Sequence, residues 1–80
     1  MRNLEIGKVY RHFKGKYYLV EDVALDCETQ KEVVIYRALY GDNKLWIRDK
    51  EVFLSKVGDR PNNDNITNQI YRFERVNEEE

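Results

Sequence analysis

The sequence predicts an all-β domain: a small SH3-like antiparallel barrel of about five strands with one short helical turn. Three observations lead there. The apolar set is dominated by eight Val, five Ile, six Tyr, three Phe and one Trp against only two Ala, a mixture that suits a half-buried pleated surface better than a helix. Turn-forming residues recur at short intervals, at Gly7, Lys14-Gly15-Lys16, Asp26-Cys27-Glu28-Thr29, Gly41-Asp42-Asn43-Lys44 and Gly58 through Asn65. Between them, the segments are of strand length and many alternate in polarity.

Taken in order, residues 8–13 alternate Val9, Arg11 and Phe13 against Lys8, Tyr10 and His12, and read as a first strand. Residues 17–25 form an apolar run that acquires charge at Glu21 and Asp22, and read as a second. The segment from Val33 to Tyr40 is apolar on both sides of the pleat apart from Arg37, as expected of a central strand in a small closed sheet. The turn at Gly41–Lys44 then leads into Leu45-Trp46-Ile47-Arg48. Alternation there sets Leu45 and Ile47 on one face and Trp46 and Arg48 on the other, one of them core and the other a candidate surface. Asp49 is placed to cap a helical turn that buries Val52 and Phe53. Residues 58–68, rich in Asn, Asp, Pro and Gly, read as a loop, and Ile70 to Val76 as a last alternating strand. The domain therefore spans 1–76, and residues 77–80, with Glu78-Glu79-Glu80, form a solvated acidic tail. Five short strands with tight turns close most of their edges and fill the middle with side chains in an SH3-like barrel.

Eighty residues exclude a multidomain enzyme. A chain this short removes only about 60–65% of its unfolded surface from water, so net stability is on the order of 4–12 kcal/mol and a deep catalytic cleft is hard to build. Fourteen Lys and Arg against 15 Asp and Glu leave a net charge of -1, and no whole-molecule field draws the chain to nucleic acid or an anionic membrane. The lone Cys27 cannot form an intrachain disulfide, residues 1–7 lack an apolar leader, and the longest apolar runs are far too short to span a bilayer. The expectation is a cytoplasmic protein with no membrane association. No cofactor is implied, and the sequence does not indicate an oligomeric state.

The strings Gly7-Lys8-Val9-Tyr10-Arg11-His12-Phe13-Lys14-Gly15, Glu28-Thr29, Val34-Ile35-Tyr36-Arg37-Ala38-Leu39-Tyr40-Gly41-Asp42, Trp46-Ile47-Arg48, Val52-Phe53 and Arg72-Phe73 closely resemble the bacterial domain of unknown function family 1653. The resemblance covers roughly residues 7–73. It implies an SH3-like small barrel, a stand-alone cytosolic protein and no activity to inherit. Asp49 stands where the family pattern has Pro, and Val52 where it has Met, so the entry to the turn after Arg48 is the point of departure.

Four groups of residues carry possible chemistry. Tyr36, Tyr40, Trp46 and Arg48 come within cross-strand reach if the hairpin through 41–44 forms, giving an aromatic shelf with one guanidinium that suits a peptide or protein partner. Closure of the core by the same rings is equally compatible, and register decides. Lys8, Arg11, Lys14 and Lys16, with Tyr10 and Phe13, form a basic aromatic strand, the alternative being nucleic-acid binding; edge protection is the plainer role. His12 with Glu28 is the third group, an acid-base pair in principle, although neither Ser55 nor Cys27 sits in a nucleophile context and the ligands for a metal are too few. A lone His is more often a structural hydrogen-bonder, and no catalytic residue is assigned. Finally, Asp26 and Thr29 suit turn chemistry, with Arg37 or Arg48 as potential partners for nearby carboxylates.

Overall fold

The structure, a computed structural model, describes residues 3–58 and 65–76; the expected tail and most of the expected 58–68 loop lie outside the described residues. Five strands, β1 (Val9–His12), β2 (Tyr17–Leu25), β3 (Glu32–Ala38), β4 (Leu45–Asp49) and β5 (Phe73–Arg75), form one antiparallel sheet in the order β4-β3-β2-β1-β5. A single helical turn, α1 (Lys50–Phe53), follows β4. The expected all-β class, strand number and helical turn are all present.

Alternation along β3 buries Val34, Tyr36 and Ala38 and leaves Val33, Ile35 and Arg37 half-buried on the other face. The register carries that pattern into the neighbours. Tyr18 and Val20 lie opposite Ala38 and Tyr36, and Trp46 and Arg48 lie opposite Tyr36 and Val34, so all share the inner face. A bulge between Val20 and Asp22 adds Glu21 to β2 and bends that strand. The bend rolls the sheet. In a flat sheet β3 and β5 would stand about 14 Å apart, three strand spacings, yet the Tyr36 and Phe73 rings are 5.5 Å apart. Tyr10, Val20, Val34, Tyr36, Phe53 and Phe73 thus form one core under the roll. Closure stops short of a full barrel, because β4 and β5 remain the two edges and no ladder joins them among the described residues.

Beyond shifts of one residue at the ends of β1 and β4, three features differ from expectation. The third strand ends at Ala38, not Tyr40, because the chain turns out at Leu39 into the Gly41–Asn43 turn, where Gly41 and Asn43 both take positive φ and Asn43 Nδ2 donates to the Ala38 carbonyl at 2.9 Å. The last strand is three residues long: the Glu74 carboxylate accepts the amides of Ile70 and Tyr71, both at 3.0 Å, and leaves Ile70 exposed. In α1, Phe53 is buried as expected but Val52 is 39% exposed, since neighbours on a helix point about 100° apart and a single turn can aim only one of them inward.

Asp49 stands at the N-cap position without a side-chain capping bond. Its φ of -50° lies in the range a proline ring imposes, so the departure from the family pattern keeps the same turn entry. The amide of Ala38 donates to the Lys44 carbonyl at 2.9 Å. In antiparallel phase this makes Trp46 and Arg48 the residues whose backbone faces β3, while Leu45 and Ile47 present theirs, and Asp49 its amide, to the free edge. Asp49→Pro therefore costs no ladder bond. It should leave the midpoint of urea unfolding unchanged or raise stability by about 0.4–1 kcal/mol; a loss of more than that would contradict the assigned phase.

Candidate functional site

The inner face is sealed at its floor and open at its rim. The stacked rings of Phe53 and Phe73, with centroids 4.0 Å apart and 6° between planes, make the floor. Tyr36, also buried, meets both edge-on. Tyr18 stands against Tyr36, Phe73 and Tyr40 in edge-to-face contacts between 5.3 and 5.7 Å, a geometry that aligns ring quadrupoles. The Tyr18 and Tyr40 hydroxyls are hydrogen-bonded at 2.7 Å. Tyr40 and Trp46 expose their rings, and the Lys16 ammonium sits 4.9 Å from the Tyr40 centroid, within cation-π range.

Arg48 crosses this surface. Its Nε donates to the Tyr36 hydroxyl at 3.2 Å, and its guanidinium carbon lies 5.9 Å from the Phe73 centroid. Among the described residues it forms no ion pair, whereas Arg37, Lys50 and Arg75 each hold a carboxylate. The terminal amino groups are thus available to an incoming acceptor. Arginine suits that task, since its planar donors match a carboxylate in pairs.

Of the residues selected from the sequence, Tyr36, Tyr40, Trp46, Arg48 and His12 come to this face, with Tyr36 in the core and Tyr40 and Trp46 at the surface. His12 packs against Phe13, Tyr18 and Phe73, and its Nδ1 accepts the Lys14 amide at 3.1 Å. Arg37 lies on the outer face, where its Nε donates to Glu21 at 2.7 Å and its terminal amine to the Asn43 carbonyl at 3.0 Å. Glu28 lies in the turn beyond the far end of β2, where Asp26 Oδ1 accepts the Glu28 and Thr29 amides, the turn chemistry expected there. His12 and Glu28 flank opposite ends of a nine-residue strand that spans about 26 Å at an ordinary rise, so they form no acid-base pair. The cations at 8–16 are divided: Arg11 donates to Gln69 at 2.8 Å, Lys14 covers Phe13 and Lys16 covers Tyr40. No group of three or more metal-ligating side chains occurs among the described residues.

A family model described as protein of unknown function (DUF1653) matches residues 8–75. The chain belongs to the DUF1653 family. The crystal structure of a DUF1653 protein from Bordetella bronchiseptica is similar over 95% of this chain and 91% of that one, at 29% identity and a TM-score of 0.73. No curated protein matches. None of the helices among the described residues of this DUF1653 chain is long and apolar enough to cross a membrane.

Sequence reasoning missed Tyr18, Lys16 and Phe73 as parts of this surface. Alternation alone could not choose between Tyr17 and Tyr18; the β1 pairing, Tyr10 with Tyr18 and Arg11 with Tyr17, is what turns Tyr18 inward. The environment of Tyr18 raises its phenol pKa, first through burial and then through the hydrogen bond and charge of Tyr40, with Arg48 opposing. The folded chain therefore favours the neutral phenol. That contribution to stability is intact below about pH 10, the unfolded value, and is lost as pH rises from there toward the folded value. Urea unfolding compared at pH 9 and pH 11 should show a smaller loss for Tyr18→Phe than for the parent chain; equal losses would remove Tyr18 from the account.

Proposed function

We propose that this DUF1653 chain is a small non-catalytic binding module of the cytoplasm, which receives a peptide or protein segment on its aromatic and arginine surface. The observation that carries this reading is Arg48: a half-buried guanidinium held over rings, with no carboxylate opposite it among the described residues, beside the exposed faces of Tyr40 and Trp46. Aromatic faces supply contact area at low entropic cost and the guanidinium orients the ligand. The chemistry favours a segment that brings an acidic side chain or terminal carboxylate to Arg48 and an apolar group to Trp46. A recess of about 720 Å³ lies elsewhere, by Leu4, Leu54 and Tyr71. Its charged lining is partly self-paired, with Lys50 on Glu32 at 3.0 Å, which leaves less for a ligand to gain.

Selection of a random peptide library displayed on phage against the immobilised chain tests the reading. The enriched peptides should be acidic and should lose binding to Trp46→Ala. Peptides that bind Trp46→Ala as well as the parent chain would refute it.

A further inference from the structure

We infer that the free edge of β4 is a self-association surface, on which a second copy of this chain pairs antiparallel about a two-fold axis at Ile47. This inference does not rest on the ligand proposed above, although it engages the same Trp46 and Arg48 side chains. Natural edge strands are usually blunted by Pro, by Lys, by a bulge or by a covering segment. The first three residues of β4 are instead Leu45, Trp46 and Ile47, exposed by 50%, 47% and 68%, and among the described residues no strand lies outside them.

The edge is complementary to itself. With Ile47 opposite Ile47 of the second copy, Leu45 falls opposite Asp49; the amides of all three and the carbonyls of Leu45 and Ile47 point outward, while the Asp49 carbonyl opens α1 as its N-cap. The Ile47 pair exchanges two bonds and each Leu45–Asp49 pair one, so about four backbone hydrogen bonds form. On the inner face Trp46 meets Arg48 of the second copy, twice, and Arg48 has terminal amino groups free to lie over the indole. Axes at Trp46 or Arg48 preserve the hydrogen-bond phase but set Arg48 opposite Lys44 or opposite Arg48, pairs of like charge. An odd shift between copies puts outward groups against inward ones. Among axes at Trp46, Ile47 and Arg48, which keep the pairing within β4, the Ile47 axis alone satisfies phase and charge together, and Lys50, which it brings near Lys44, already holds Glu32.

A net charge of -1 offers little long-range repulsion between copies. Because the pairing covers one five-residue strand, the interface is small beside the roughly 800 Å² per partner of stable complexes, and the association is weak. The axis stands perpendicular to the sheet, so two five-strand sheets become one and both aromatic surfaces face the same side.

Sedimentation velocity of the full chain under reducing conditions, from about 10 μM to about 1 mM, tests this. The weight-average mass should climb from 9.7 kDa toward twice that value, whereas Ile47→Lys should stay at the lower mass throughout with its thermal unfolding unchanged. In a Cys27→Ser background, Ile47→Cys should oxidise to a disulfide-linked dimer, because facing hydrogen-bonded residues hold their Cα atoms about 5.5 Å apart, within disulfide range. Leu45→Cys, about 13 Å from its own copy along the strands, should not. A chain that stays monomeric at the highest concentration, a dimer indifferent to Ile47→Lys, or cross-linking through residue 45 as readily as through residue 47 would each overturn the inference.

Discussion

Phe73→Ala lowers the unfolding free energy by about 3–5 kcal/mol, the usual cost of truncating a buried Phe, and brings the chain close to the limit of folding. The total available to 80 residues is on the order of 4–12 kcal/mol, so one ring carries a large fraction of it. The reason is topological. Strand β5 has only three residues, and Phe73 is the inward one, 1% exposed. It stacks on Phe53 and receives the edges of His12, Tyr18 and Tyr36, tying α1, β1, β2, β3 and β5 together. Removing it opens a cavity that rigid strands on several sides cannot collapse to fill. Phe73→Leu keeps most of the volume and should lose clearly less than the alanine variant. Urea unfolding of both variants checks this, and equal small losses would mean that the roll is held elsewhere.

Arg48→Gln is expected to leave stability within about 1 kcal/mol, because the residue is half-buried and its one side-chain hydrogen bond among the described residues, to the Tyr36 hydroxyl, is worth little net. Its effect on ligand binding is large. A hydrogen bond to a charged group contributes about 1.5–3 kcal/mol, so an acidic peptide selected on the parent chain should bind roughly 10- to 100-fold more weakly. Tyr36→Phe, which removes only the acceptor that holds Nε, should weaken binding less. Titrations followed by Trp46 fluorescence provide the comparison. Undiminished affinity in Arg48→Gln would remove the guanidinium from the site.

Much of this was legible in the residues. The span of β2, the hairpin through Gly41–Lys44 and the pairing of Tyr36 with Trp46 follow from alternation and turn chemistry, and they bring Tyr36, Trp46 and Arg48 to one face. What alternation does not encode is the curl. The bulge at Glu21 and the return of β5 to β1 decide that Phe73, distant in sequence, lies under Tyr36 and Arg48. Curvature also decides that Leu45 and Ile47 remain exposed on the outer face. Arg37 could have been set aside from the start, since it neighbours Tyr36 on the same strand and points the other way. The short β5 depended on one side chain, Glu74, taking two amides that a regular strand would have placed in a ladder.

Backbone amide NMR of the chain during titration with a selected acidic peptide addresses the central claim, that the aromatic rim is where a partner sits. Shift changes centred on Tyr18, Tyr40, Trp46 and Arg48 are the predicted result. Changes centred instead on Lys8 to Lys16, or around Leu4, Leu54 and Tyr71, with the rim silent, would contradict it.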